Sequence, residues 1–196
     1  MGEVTERPPR SPLEQAQLAL GAMGRRHTTV MHLFRLATAW LDETTLLTRA
    51  LEILQDACGA QASSVIMLDR AAGDLYFSAA LGPVAEGLDA VRLGRHEGIV
   101  GWCMDTGRPV RVNNVQEEEH WHGEISQALG FDVRQLLAAP VRVGGRVIGC
   151  LELVNKEGYG PLQFTTEDEL LVADAAECLG ILFALRGERL NHEHDA

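Results

Sequence analysis

The chain is short of most features that mark a catalyst, a metal centre or a nucleic-acid binder. It carries one lysine, Lys156, beside sixteen arginines, and its formal net charge is −11 over 196 residues. The charge is uneven: residues 1–40 hold five arginines and three acids, which leaves −13 on the remainder. A surface of that sign repels nucleic acid and anionic membrane, so neither is expected as a partner. Cys58, Cys103, Cys150 and Cys178 are widely spaced, with no Cys-x-x-Cys pair and no Cys/His group of zinc-site spacing. They read as reduced thiols of a cytoplasmic protein, and no metal or other cofactor is expected. No apolar run approaches the roughly 20 residues of a membrane span, and Met1–Pro12 is polar and proline-rich instead of signal-like. A glycine-rich phosphate loop, a Ser/His/Asp order picked out by spacing, and cyclase or kinase signatures are all missing. With no output module after the domain, any signal is expected to leave through contacts.

What is present is 46% apolar residues, enough for one sizeable core with helical extensions. Residues 1–12 hold three prolines and several charges and are expected to be a disordered tail. A helical extension is expected over 13–29. Val30, Leu33, Phe34, Ala37 and Leu41 then fall on one helix face, and Leu47, Ala50, Leu51, Leu54 and Cys58 on another, with Thr45 as a cap and Gly59 as a stop. Strands are expected at Ser64–Leu68 and Leu75–Leu81, joined through the turn residues Ala71-Ala72-Gly73-Asp74, and near Val91–Leu93. A short helix bracketed by Gly98 and Gly107 leads to a small strand at Val110–Val112. Residues 113–130 begin irregular and polar, and a helix from Glu124 to Leu129 ends at Gly130. Leu136–Val143 and Arg146–Val154 flank Gly144-Gly145, the strongest hairpin signal in the chain, because both central positions of a tight primed turn favour positive φ. A closing helix is expected from Thr166 to about Arg186, with Thr166 and Glu169 at capping-box spacing, and then a tail at 187–196. The sum is an α+β chain with an antiparallel sheet interrupted by a helical insertion.

The residues Asn155-Lys156, Phe164 and Asp168-Glu169 form the most informative pattern. Lys156 closes an apolar strand and Asp168 opens a helix, so one ion pair clasps the two. The pattern resembles the asparagine-lysine, phenylalanine, aspartate-glutamate signature of GAF domains, found in cyclic-nucleotide phosphodiesterases and many bacterial sensor proteins. Gly98-Ile99-Val100-Gly101-Trp102-Cys103-Met104-Asp105-Thr106-Gly107 resembles that family's glycine-bounded helix, and Leu137 to Lys156 its central hairpin. The resemblance covers about residues 30–186. It implies a sheet of five or six strands, with helices on one face, a ligand pocket under short helices and loops on the other, and the lysine–aspartate clasp away from the pocket. It further implies a bacterial, cytoplasmic sensor, commonly a homodimer, with a small-molecule ligand for which a cyclic nucleotide is one candidate.

On that reading Met67 and Phe77 lie on sheet strands, Val100 and Met104 on the short helix, and Trp121, Ile125 and Leu129 on a lid spanning 113–130. Arg134 or a helix N-terminus is available for an anion. The plainer alternative is that these apolar side chains only fill the core. Few rings could stack on a purine: Phe77, Trp121 and Phe131. His120 and His122, two residues apart beside Glu117, Glu118 and Glu119, could meet a metal, though no third ligand is fixed by spacing and a solvated loop is the simpler account. His32 and His96 are each conceivable haem ligands, and each is more simply a surface histidine. A likeness to free methionine sulfoxide reductases meets an obstacle, since those proteins carry a cysteine where this chain has Val100. Cys103 is the thiol expected near the pocket, with no resolving partner evident. An apolar stripe of Leu18, Met23 and Leu185 on the terminal helices is expected to pair with a second copy or with a signalling partner protein. A non-enzymatic interaction module with a vestigial pocket is the alternative to a sensor.

Overall fold

The computed structural model of the chain describes residues 11–39, 41–158 and 161–194. The expected disordered tail, up to Arg10, falls outside the described residues, as do the side chains of Ala37 and of 187–194. Helix α1, Pro12–Thr38, opens on a capping box. The Ser11 hydroxyl accepts from the Glu14 amide at 3.3 Å, and the Glu14 carboxylate accepts from the Ser11 amide at 2.8 Å. The two stretches read separately from the sequence are one continuous helix. Helix α2, Glu43–Cys58, is capped by Asp42 and not by Thr45. The Thr45 amide donates to Asp42 Oδ1 at 2.9 Å and its hydroxyl to Oδ2 at 2.6 Å. A carboxylate at the N-cap satisfies orphan amides and complements the helix dipole, which displaces threonine to the third helical position. Gly59, at φ 64°, ends α2 in the left-handed region as its lack of a Cβ allows.

Six strands follow: β1 Ala60–Leu68, β2 Asp74–Leu81, β3 Arg92–Gly94, β4 Val110–Val112, β5 Leu136–Val143 and β6 Arg146–Lys156. They form one antiparallel sheet in the order β3-β2-β1-β6-β5-β4. Gly144 and Gly145 have φ of 56° and 77°, and Val143 pairs with Arg146 across them, so the glycine pair forms the two-residue turn its sequence demands. Helix α3, Gly98–Thr106, and the five-residue α4, Glu124–Ala128, interrupt the strands. Helix α5, Thr166–His194, closes the chain and runs eight residues beyond Arg186.

Alternation along the strands divides the interior in two. Val65, Leu137, Ala139, Val141, Leu151 and Leu153 point to the back, where α2 and α5 cover them with Leu47, Leu51, Leu54, Val172, Ala176 and Leu179. Ile66, Leu75, Leu136, Ala138 and Cys150 point to the front, under α3 and the loops. Helix α1 lies along α5 in the same direction: Arg26 Nη2 donates to Asp174 Oδ1 at 2.8 Å, and Arg186 Nη2 to the Leu41 carbonyl at 2.7 Å. Leu18, Met23 and Leu185 stay exposed on these two helices. Among the described residues no helix is long and apolar enough to cross a membrane.

The junction of β6 with α5 carries the asparagine-lysine pattern. Asn155 has φ 52°, the one non-glycine residue with positive φ among those described, and asparagine tolerates that region better than other residues. Its buried side chain is fully engaged: Oδ1 accepts from the Arg134 amide at 2.8 Å and the Gln135 amide at 3.2 Å, while Nδ2 donates to the Asp132 carbonyl at 2.7 Å and Gln61 Oε1 at 2.8 Å. Lys156 Nζ meets Asp168 Oδ2, and both side chains are nearly buried, at 11% and 12% exposure. The cap of α5 sits one residue earlier than the spacing suggested. Thr165 and Asp168 form the box, with the Thr165 amide donating to Asp168 Oδ2 at 2.7 Å and the Asp168 amide to Thr165 Oγ1 at 3.2 Å. Glu169 instead binds Arg111, at 2.9 Å.

Candidate ligand-binding site

A cavity of about 130 Å³ lies between the front of the sheet and its cover, on the scale of cavities that admit a benzene-sized molecule. Ile66 and Phe77 of the sheet, Ile99 and Val100 of α3, and Trp121, Ile125 and Leu129 of the lid supply apolar walls. Three of the eight side chains expected at a pocket are elsewhere. Met67 follows Ile66 by one residue, so the pleat turns it to the back, where it packs against the helix-covered core. Met104 is buried against the sheet among the front-face residues and does not reach the cavity. Arg134 is 58% exposed and points to Glu157, 3.7 Å away, so it offers the cavity no cation. Phe77, Val100, Trp121, Ile125 and Leu129 do come together.

Phe77 owes its direction to a bulge. Val65 pairs with Ala79 but Ile66 pairs with Phe77, so Ser78 is an extra residue in β2. Ala79 therefore packs on the back and Phe77 on the front.

The connection from β2 to β3 contributes a wall that sequence reasoning missed. A short 3-10 turn at Ala85–Leu88 places Val84, Ala85 and Leu88 on the cavity. A Cβ at Gly87 would come within 2.7 Å of Leu129 Cδ2, so this turn and the lid touch here and a larger residue would push the Leu129 side chain aside. The lid itself is fastened at its start: Asn113 Nδ2 donates to the Phe164 carbonyl at 3.0 Å, and the Phe164 amide returns a bond to Asn113 Oδ1 at 3.0 Å.

Also missed was Glu152. It sits in the middle of β6, opposite Ser64 on β1 and Ala138 on β5, and it lines the cavity floor. Ser64 Oγ donates to Glu152 Oε2 at 2.8 Å, and no described residue donates to Oε1. Burial pushes the carboxyl above its ordinary value, partly offset by the Ser64 bond. A glutamate between Leu151 and Leu153 in an apolar strand was the signal available in the sequence. At the outer side, Glu97 and His122 line the cavity, 3.9 Å apart and both substantially exposed.

The two histidines of the lid diverge. His120 stacks on Trp102, with ring centroids 4.3 Å apart and planes within 4°, and binds Glu118 Oε1 at 2.9 Å, while His122 turns to the cavity. Among the described residues no three His, Cys, Asp or Glu side chains gather as metal ligands. His96 binds Asp105 at 2.7 Å, outside the cavity lining. Cys103 does have a thiol neighbour: Cys150 Sγ is 3.8 Å from its Sγ, across the α3–β6 contact that sequence spacing could not show. Both are buried behind the cavity lining, and the contact with Cys103, then burial, hold the Cys150 thiol well above its ordinary value.

An antiparallel six-stranded sheet with long helices behind and a covered cavity in front makes this an α+β domain. The GAF domain model matches residues 42–182, and the chain belongs to the GAF domain family. A probable 3',5'-cyclic phosphodiesterase, pde-5, from Caenorhabditis elegans is 29% identical over 102 residues, which cover 52% of this chain and 13% of that relative's length. The GAF domain of a phosphoenolpyruvate-protein phosphotransferase (ptsP) from Coxiella burnetii superposes with a TM-score of 0.75 at 20% identity, covering 86% of this chain and 97% of that one. A free methionine-R-sulfoxide reductase from Neisseria meningitidis, solved with its substrate, superposes at 0.68 with 20% identity, covering 83% and 91%. At such identities the structural likeness establishes the fold alone.

Proposed function

We propose that the chain is a sensory GAF domain that takes a small molecule into the front-face cavity and passes the resulting change in its lid to the terminal helices. The observation that carries this reading is the cavity lying between a largely apolar sheet face and a cover built from short segments. Binding drives a change only to the extent that the ligand prefers the closed cover over the open one. The Asn113–Phe164 bonds give the lid a direct attachment to the residues that open α5. Leu18, Met23 and Leu185, exposed on α1 and α5, support a homodimer through a two-fold interface, with a signalling partner protein as the other occupant of that face. The four free thiols support a reducing, cytoplasmic setting.

A non-catalytic role is part of this reading. The buried Cys103–Cys150 pair has no face on the cavity, so it is poorly placed to attack a bound sulfoxide. Free methionine sulfoxide reductase activity in the purified protein that disappears in Cys103→Ser would overturn that part. A cyclic nucleotide is the ligand class suggested by the phosphodiesterase relatives, and it belongs in any binding panel.

Native mass spectrometry of freshly purified protein tests the reading as a whole, because it reports copy number and any retained molecule together. Dimers with a mass excess are expected. A bare mass, together with unchanged hydrogen exchange over 113–130 when benzyl alcohol is added at millimolar concentration, would leave only the scaffold role.

A further inference from the structure

Resting on the sensor reading, we infer that the cavity selects a small organic cation, an amine head carried on a compact apolar body, with Glu152 as the group that recognises the head. The floor supplies the first argument. Glu152 projects from the central strand β6 into a space where Ile66, Phe77, Ile99 and Val100 stand beside it, and among the described residues its one hydrogen-bond donor is Ser64 Oγ, to Oε2. The second oxygen has no donor among the described residues. A half-buried carboxylate among apolar walls is penalised unless it is paired, and an apolar residue at the same position would avoid that penalty. A ligand N–H reaching Oε1 supplies the missing donor, and a positive charge on it supplies the missing countercharge.

The rest of the lining supplies the second argument. Among the described residues no arginine or lysine lines the cavity, and Arg134, the cation the sequence offered, faces Glu157 outside it. The other ionisable groups on the lining are Glu97 and His122 at the outer side, and Glu97 Oε2 already accepts from the Gly94 amide at 2.9 Å. The phosphate of a cyclic nucleotide, or the carboxylate of an amino acid, would meet Glu152 and Glu97 with no fixed cation to offset them. A cavity of about 130 Å³ suits a single ring or a branched aliphatic body.

Size-matched probes isolate the charge: benzylamine, benzyl alcohol, benzoate and cyclic GMP, each titrated into the wild-type protein and into Glu152→Gln, with calorimetry and Trp121 fluorescence as readouts. The expected result is benzylamine binding about tenfold more tightly than benzyl alcohol, the increment of one charge-assisted bond, with benzoate and cyclic GMP weaker than either. Glu152→Gln removes the countercharge while keeping the side chain's shape, and should bring benzylamine down to the level of benzyl alcohol. If benzyl alcohol binds but benzylamine shows no advantage, or if the advantage survives in Glu152→Gln, the charge assignment falls and the sensor reading stands. Tighter binding of cyclic GMP or benzoate than of benzylamine also overturns the assignment. If neither benzyl alcohol nor benzylamine binds, both readings fall. The wild-type series decides the matter even where the variant folds poorly.

Discussion

The two faces of the sheet are made by neighbouring residues of the same strands, yet they are built for different purposes. On the back, Val65, Leu151 and Leu153 meet two long helices whose apolar stripes match them, and the result is closed packing: of the twelve largest wholly buried side chains among the described residues, all but Ile66 and Leu75 lie here. On the front, Ser64, Glu152 and Val154 alternate with those residues and meet a cover made of a nine-residue helix, a five-residue helix and a four-residue turn. Short segments cannot present a continuous apolar stripe, so the front keeps a hollow of about 130 Å³ between sheet and cover. The back therefore sets the stability of the domain, and the front sets what it can hold.

That division can be broken by substitution, and the largest effect belongs to the back. Leu51→Ala, in the wholly buried stripe of α2, should cost about 3 kcal/mol in denaturant unfolding while leaving benzyl alcohol affinity unchanged in the folded protein. A variant that weakened the probe and spared stability would reverse the assignment of roles. Lys156→Ala comes next, at about 2 kcal/mol, because it strands a nearly buried Asp168 that keeps only its Thr165 donors. An unchanged melting temperature would remove the clasp from the stabilising contacts.

Glu152→Gln should act in the opposite direction on the ligand-free protein. The folded-state carboxyl is raised by burial, so the folded chain holds a proton that the unfolded chain releases, and stability falls as pH rises from the ordinary carboxylate value through the raised one. The variant lacks this loss, so it should melt above the wild type at neutral pH and converge with it below the ordinary carboxylate range. Parallel melting curves across pH would show that Glu152 is not strained by its site. The smallest expected change in stability, within about 0.5 kcal/mol, is for Ile125→Trp on the partly exposed lid helix, which should nonetheless fill the cavity and abolish benzyl alcohol binding. Retained binding would move the site away from the lid.

Much of the back face was legible in the sequence because its signals are local. The stripe Leu47, Ala50, Leu51, Leu54 of α2, the Gly144-Gly145 turn, and the pairing of Lys156 with Asp168 each follow from spacing within a few residues or from one charge of each sign. The front face depends on long-range facts. Met67 was assigned to the pocket because a strand seen alone has no anchor that tells one face from the other, and only the pairing of Ile66 with Cys150 and Phe77 fixes which way it turns. Glu152 was passed over because its meaning comes from Ser64, eighty-eight positions away. The spacing of Thr166 and Glu169 points to a cap one residue late, because a second box, Thr165 with Asp168, overlaps it, and the one that also captures Lys156 prevails. Cys103 and Cys150 looked solitary for the same reason that Glu152 looked unremarkable.

Two asparagine side chains, Asn113 half-buried and Asn155 buried, act as pins at either edge of the cover. Asn113 holds the incoming strand end to Phe164, and Asn155 holds the outgoing segment at Asp132, Arg134 and Gln135. A flap secured along both margins cannot swing away as a door does. Any opening between Val115 and Phe131 would have to bend a short span held at both ends, one of which is tied to the Phe164 backbone just ahead of the last helix.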